Sequence, residues 1–273
     1  MESSSFFNTI AFLLTTLFYS MMMRPELTLN KMTTSYLEYK SDNYLYLGAY
    51  LLLVLIVQFS VNSSIIANNC GGSMKENVGA AGSLTFIPWL LIFGVMMLIL
   101  VIYPGFKSAF SDVIGYYYVS TKANDILSKI LRDSRIESTI GSNVSADDKK
   151  KIETTADAII KIMGNSAVVI NQIVPENFLR YWDTLKPLMK DEYIANDPLD
   201  MKTELFDLVV TRDYIGEIMW YMYTGVLLTF LVGLKIASRG CDSSPETMSK
   251  NLQAYKEAQA AEEVKNGGNK KQK

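Results

Sequence analysis

Glu217 stands at the edge of an uncharged run, "IMWYMYTGVLLTFLVGL", at positions 218–234. A charge inside a bilayer is costly, so an ionisable group held there is a candidate for ion or proton coupling. Arg212 and Asp213 lie about one helical turn earlier. Their proximity places the expected position of Glu217 at the water interface. A second candidate is Trp182 with Tyr181 and Arg180, an aromatic and cationic group suited to binding. Aromatic residues at helical spacing more often build a core. Asp147 and Asp148 beside Lys149, Lys150 and Lys151 read as the solvated start of a helix, where negative charge suits the dipole. Asn62-Ser63-Ser64 and Asn143-Val144-Ser145 match the glycosylation sequon. Asn62 is expected to lie too close to a membrane to be used.

Other chemistries lack their residues. The chain has no histidine, which removes the usual general base and the commonest metal ligand. Its two cysteines, Cys70 and Cys241, are too few for a thiolate cage or a disulfide-rich scaffold. No serine sits beside a base, and no carboxylate pair has evidently split environments. No catalytic, cofactor-binding or metal residue is assigned, and no enzyme activity is expected. A formal net charge of −2 argues against wholesale attraction to nucleic acid.

The elements that would position these residues are set by four apolar runs. Between Leu84 and Tyr103 no residue is charged. At 1.5 Å per residue, 84–104 covers about 31 Å, close to the roughly 30 Å hydrocarbon core of a bilayer. Trp89 and Tyr103 lie toward its ends, where amphipathic rings prefer the headgroups. Positions 6–23, "FFNTIAFLLTTLFYSMMM", form a second span that lacks the basic flank of a signal peptide. Positions 44–61, "YLYLGAYLLLVLIVQFSV", form another, with Tyr44, Tyr46 and Tyr50 at one interface. The fourth is 218–234, bounded by Lys235, and Gly225 and Gly233 lie on roughly one side of it.

The expected fold is all-α: a four-span helical membrane protein with a soluble helical domain inserted between spans three and four. Positions 1–104 hold three spans, 105–214 the soluble domain, 215–236 the fourth span, and 237–273 a polar helical and flexible tail. The stretch 107–214 carries 14 Lys and Arg against 17 Asp and Glu, a net of −3, where a phosphate-gripping domain would be basic. Its apolar residues recur at helical spacing: Val113, Tyr116, Tyr117, Ile126, Ile130 and Leu131, with Gly115 as a break, then Ile152, Ala156, Ile159, Ile160 and Met163 behind an N-cap at Ser145. "VVINQIV" reads as a short strand or a buried turn. Pro175-Glu176 opens a helix whose last turn Pro187 distorts. Asp197-Pro198 starts another that runs toward the fourth span. In the tail, Ser244 and Pro245 open a helix with a narrow stripe of Met248, Leu252, Tyr255 and Ala258.

Four spans put both termini on one side, with Cys70 and Cys241. The basic residues near the membrane favour a cytosolic position for the opposite side and its insert. If the cysteine side is lumenal, its oxidising environment permits a Cys70–Cys241 disulfide. Two unrelated thiols are the alternative.

Three stretches carry a resemblance: "TFIPWLLIFGVMMLILVIYPGFKSAFSDVIGYYYV", "INQIVPENFLRYWDTLKPLMK", and "FDLVVTRDYIGEIMWYMYTGVLLTF" followed by "SRGC". Together they resemble a multi-span membrane protein family of nucleocytoplasmic large DNA viruses, of the chlorella virus and mimivirus type. That resemblance implies a virion membrane protein in the internal bilayer beneath the capsid, derived from a host membrane. It implies a minor capsid component that links bilayer to icosahedral shell, with other capsid or membrane proteins as partners. The residues alone fit any membrane-anchored adaptor, as a homo- or hetero-oligomer, with no cofactor and no nucleic acid. An oligomeric ion channel or small transporter is the alternative.

Overall fold

The computed structural model describes residues 2–70, 78–131, 166–186, 189–196 and 198–238, with scattered positions between 249 and 259. Every regular element among them is helical, and the single isolated bridge joins Leu131 to Met189. Four helical stretches are long and apolar enough to cross a membrane: Phe6–Met23, Tyr36–Asn69, Val78–Ile102 and Leu199–Ser238.

In chain order, α1 (Glu2–Phe18) closes through a π-helical turn, Tyr19–Met23, before Arg24-Pro25. The short α2 (Leu29–Thr34) starts where the Thr28 hydroxyl accepts from the Lys31 amide at 3.3 Å, which satisfies one orphan donor of the first turn. α3 (Tyr36–Cys70) follows as 35 unbroken residues. α4 (Val78–Pro88) passes through a π-helical stretch, Trp89–Gly94, into α5 (Val95–Ile102). Pro88 has no amide hydrogen, and its ring crowds the carbonyl one turn back, so the widened turn falls where the regular ladder is lost. A 3-10 turn (Pro104–Lys107) leads to α6 (Ser108–Phe110), a π-helical stretch (Ser111–Gly115) and α7 (Tyr116–Ile130). Then come α8 (Ser166–Gln172), α9 (Phe178–Leu185), α10 (Asp191–Ala195) and α11 (Leu199–Ser238).

The chain divides into two compact units. The first comprises Met1–Phe18, Ala49–Val95 and Thr224–Lys273. Its interior is layered at a spacing of one helical turn. Asn8 donates to Asn62 Oδ1 at 3.0 Å, and Asn62 donates to Thr85 Oγ1 at 2.9 Å. Phe12 meets Trp89 and Phe93 with centroids 5.3 and 5.8 Å apart. Thr16 and Tyr50 share a hydrogen bond of 2.8 Å. The polar residues that make 6–23 the least apolar run therefore face inward, where each hydroxyl or amide that finds a partner avoids the penalty of hydrocarbon. The Asn62 sequon is closed for the same reason: the side chain is fully buried.

Gly225 is where α11 meets Phe12. A Cβ there would overlap the Phe12 ring on three carbons. Gly225→Val is expected to cost about 2 kcal/mol by overpacking. Detergent unfolding midpoints test this, and a wild-type midpoint would place Phe12 elsewhere.

The second unit comprises Tyr19–Gly48 and Met96–Tyr223. Its core joins Val119, Ala123, Ile126, Leu127 and Ile130 of α7 to Val169 and Ile170 of α8. Phe178, Trp182 and Leu185 of α9 and Leu205, Phe206 and Val209 of α11 join it, with Leu27, Leu29 and Tyr39 from the segment before and at the start of α3. Trp182 is 1% exposed and packs against Phe178, so it belongs to this core. "VVINQIV" is neither strand nor buried turn: α8 takes it as far as Gln172. Among the described residues no strand pairs with it, so its β-branched side chains gain more by packing on α7 than by extension.

Several expectations fall on residues outside those described: Ser145 with the helix behind it, Asn143, Asp147, Asp148, Pro187, Cys241 and the side chain of Cys70. Of the tail stripe, Leu252 and Tyr255 are exposed.

Candidate functional site: a buried ionic cluster

Glu217 is not a solvated group. It is 4% exposed, Asp213 is 6% exposed, and Arg212 is 1% exposed. Both carboxylates project from α11 one turn apart. Lys107, at the end of the 3-10 turn, reaches Asp213 Oδ2 at 2.8 Å and Glu217 Oε2 at 3.0 Å. Arg24, just beyond α1, lies 3.9 Å from Glu217 and stacks 3.5 Å above the Tyr214 ring. Tyr221 donates to Glu217 Oε1 at 2.8 Å, and Tyr214 donates to the Ser20 carbonyl at 2.9 Å. Two cations and two anions thus leave a neutral quartet. The charges can be withdrawn from water only because each has a partner.

Gly216 lets Lys107 approach. A Cβ there would stand 2.8 Å from the Lys107 carbonyl oxygen and 2.7 Å from Ser111 Cβ. Lys107 is held above the ordinary lysine pKa: burial works against the charge, and Glu217 and Asp213 outweigh it.

A cavity of about 120 Å³ adjoins the quartet, lined by Arg24, Lys107, Asp213 and Glu217 together with Tyr36, Tyr39, Lys40, Asn43 and Glu176. Its lining has as many cations as anions. Tyr36 donates to Glu176 at 3.4 Å across one part of it.

Arg212 faces the other way, into the insert. One Nη1 hydrogen bond goes to the Ile170 carbonyl. Another reaches Asn171 Oδ1 at 3.3 Å, and Nη2 donates to the Ile173 carbonyl at 2.9 Å. The end of α8 therefore ties to α11 through one guanidinium. Asn171 in turn donates to the Asp112 carbonyl at 3.1 Å. Gly115 clears the path, since a Cβ there would lie 2.6 Å from the Arg212 carbonyl oxygen.

The structure thus brings Glu217, Asp213 and Arg212 into one buried region, and it adds Lys107 and Arg24. Neither addition carries a sequence signal beyond being a charge next to an apolar run. Trp182, Tyr181 and Arg180 lie apart from it, on α9. Among the described residues no group of three or more cysteine or carboxylate ligands could hold a metal. The quartet can fix helices to one another and resist hydration. No protein-family model, curated protein or solved structure matches the chain.

Proposed function

We propose that this chain is a membrane-embedded structural adaptor that holds a helical domain against a bilayer so that the domain can grip a protein coat. In its finer form, the chain is a minor capsid component of a large DNA virus that links the internal bilayer to the icosahedral shell. The observation that carries the reading is α11. Its 40 residues extend about 60 Å, twice the hydrocarbon thickness. Leu205, Phe206 and Val209 of this helix lie in the core of the insert, while Leu228 and Val232 lie buried farther along in the apolar run. One continuous helix therefore supplies both a candidate span and part of the domain core. The resemblance of three stretches to viral membrane proteins supports the finer form. Non-ionic detergent treatment of virus particles is the test. The chain is expected to stay with the shell, and recovery entirely with solubilised lipid would overturn the adaptor.

A channel or small transporter is the second reading, and one observation favours it. Gln58 is fully buried on α3, and its amide finds no hydrogen-bond partner among the described residues. Ion flux through reconstituted liposomes separates the two readings, since the adaptor conducts nothing.

A further inference from the structure

We infer that the first compact unit holds an internal water-binding site, enclosed by Asn8 of α1, Gln58 of α3 and Trp89 directly after α4. The inference is independent of the adaptor reading. It bears on the channel reading, because a sealed water accounts for the buried amide of Gln58 without a conducting path.

Three side chains of this unit are withdrawn from solvent with polar atoms that meet no partner among the described residues. Asn8 is 1% exposed, and Gln58 and Trp89 are 0% exposed. The unpaired atoms are Asn8 Oδ1, both amide atoms of Gln58 and the Trp89 indole nitrogen. All three residues belong to helices apolar enough to cross a membrane, where hydrocarbon offers no substitute partner. Buried polar groups in folded proteins are nearly always paired, with protein or with ordered water.

Register brings the three together inside one unit. The layer of Asn8, Asn62 and Thr85 is fixed by hydrogen bonds of 3.0 and 2.9 Å. One turn along each helix from that layer, about 6 Å away, stand Phe12, Gln58 and Trp89. The direction is the same on all three helices. The next contacts that way are Thr16 with Tyr50 at 2.8 Å and Tyr50 with Phe93 at 6.0 Å between centroids. Phe12 and Trp89 touch at 5.3 Å, as the register requires. Gln58 lies on the inward face of α3, which runs through Val54, Leu55, Asn62 and Ile66, all buried. Asn8 borders this level from the neighbouring layer, with its nitrogen held by Asn62 and its oxygen left over. The π-helical stretch Trp89–Gly94 begins here, and local widenings of that kind recur at functional sites.

The atoms themselves select the ligand. Trp89 Nε1 and Gln58 Nε2 donate, and Asn8 Oδ1 and Gln58 Oε1 accept. A cation would face the two donors, and an anion the two acceptors. Water offers two hydrogens and two lone pairs, and a buried water makes about three hydrogen bonds. Toward the Thr16–Tyr50 layer the site is closed by the rings of Phe12, Trp89 and Phe93, whose centroids are 5.3, 5.4 and 5.8 Å apart. The water is therefore held between three helices and not passed along them.

Solid-state NMR of the full, isotope-labelled chain in phosphatidylcholine vesicles tests this. Magnetisation is transferred from water protons to the indole nitrogens of the three tryptophans, and Trp89→Phe assigns one of them. Build-up at Trp89 is expected to be several-fold faster than at Trp182, which is 1% exposed and so as deeply buried. Equal build-up at the two would mean that Trp89 binds no water and would overturn the inference. A Trp89 resonance that moves when sodium or chloride is exchanged for another ion would place an ion there and overturn it equally. Gln58→Met separates a hydrated amide from a dry one. It is expected to slow the transfer to Trp89 several-fold and to lower the detergent unfolding midpoint, because the water loses a partner. Unchanged transfer would remove Gln58 from the site, and a raised midpoint would show an amide buried dry; either result sinks the proposal. The wild-type comparison of Trp89 with Trp182 decides the matter if Gln58→Met does not fold.

Discussion

Lys107→Met is expected to destabilise the protein by about 3–5 kcal/mol, the range for removing one partner of a buried ion pair. Methionine keeps most of the stem and removes the charge. Asp213 and Glu217 would then face each other one turn apart with only Arg24 nearby, and Arg24 is 3.9 Å from Glu217. The side chains of Lys107, Asp213 and Glu217 are 12%, 9% and 6% exposed, so water screens little. Adding Asp213→Asn should recover more than half of the loss, because Arg24 and Glu217 remain as a neutral pair. The double-mutant cycle isolates that coupling. Mixed-micelle unfolding titrations measure all three variants. A Lys107→Met midpoint within about 1 kcal/mol of wild type, the ceiling for solvated pairs, would mean that the quartet is hydrated. The pH dependence follows from the raised Lys107 pKa. A group whose folded pKa is raised contributes stability that is complete below its unfolded value, about 10.4 for lysine, and fades above it. The advantage of wild type over Lys107→Met should therefore stay flat to about pH 10 and decline beyond.

Arg212→Met is expected to cost about 3–4 kcal/mol, with the loss concentrated in the insert. The guanidinium holds the carbonyls of Ile170 and Ile173 and the amide oxygen of Asn171. Methionine fills much of the space and donates nothing, so two buried carbonyls lose their partner at about 1–3 kcal/mol each. Loss of the desolvated charge offsets part of this. Lysine would not substitute, because a point charge cannot reproduce a planar fork that addresses three acceptors. Hydrogen exchange in detergent locates the effect. Protection should fall in Ser166–Leu185 while the apolar half of α11 keeps its own. Uniform loss across the chain would show that Arg212 serves global packing and does not tether α8.

The four spans were legible because membrane hydrophobicity is one-dimensional. An uncharged stretch of about 20 residues needs no partner to declare itself. Helix lengths were less legible. The third and fourth runs continue into Val78–Ile102 and Leu199–Ser238, since helical hydrogen bonding does not stop where apolar composition does. In the insert, Ile126, Ile130 and Leu131 of the helical-period stripe lie in the core with Trp182, whereas Val113 and Tyr117 of the same stripe are exposed. Propensity misled at "VVINQIV", because β-branched residues favour a strand only when a partner strand exists.

The amino-acid order by itself determined the all-helical class and the four helices apolar enough to span a membrane. These depend on local periodicity and on transfer from water, which neighbours in sequence settle among themselves. The tertiary structure alone decided that Asp213 meets Lys107 across 106 positions of chain, that Glu217 joins the same lysine, that Arg212 caps the end of α8, and that Gly225 makes room for Phe12. Each depends on which helix faces which, and the energy of a buried charge or a missing Cβ is set by the group opposite it. Glu217 shows the difference most plainly. Its position beside an apolar run and one turn from Asp213 suggested water, whereas two cations from elsewhere in the chain allow it to be buried.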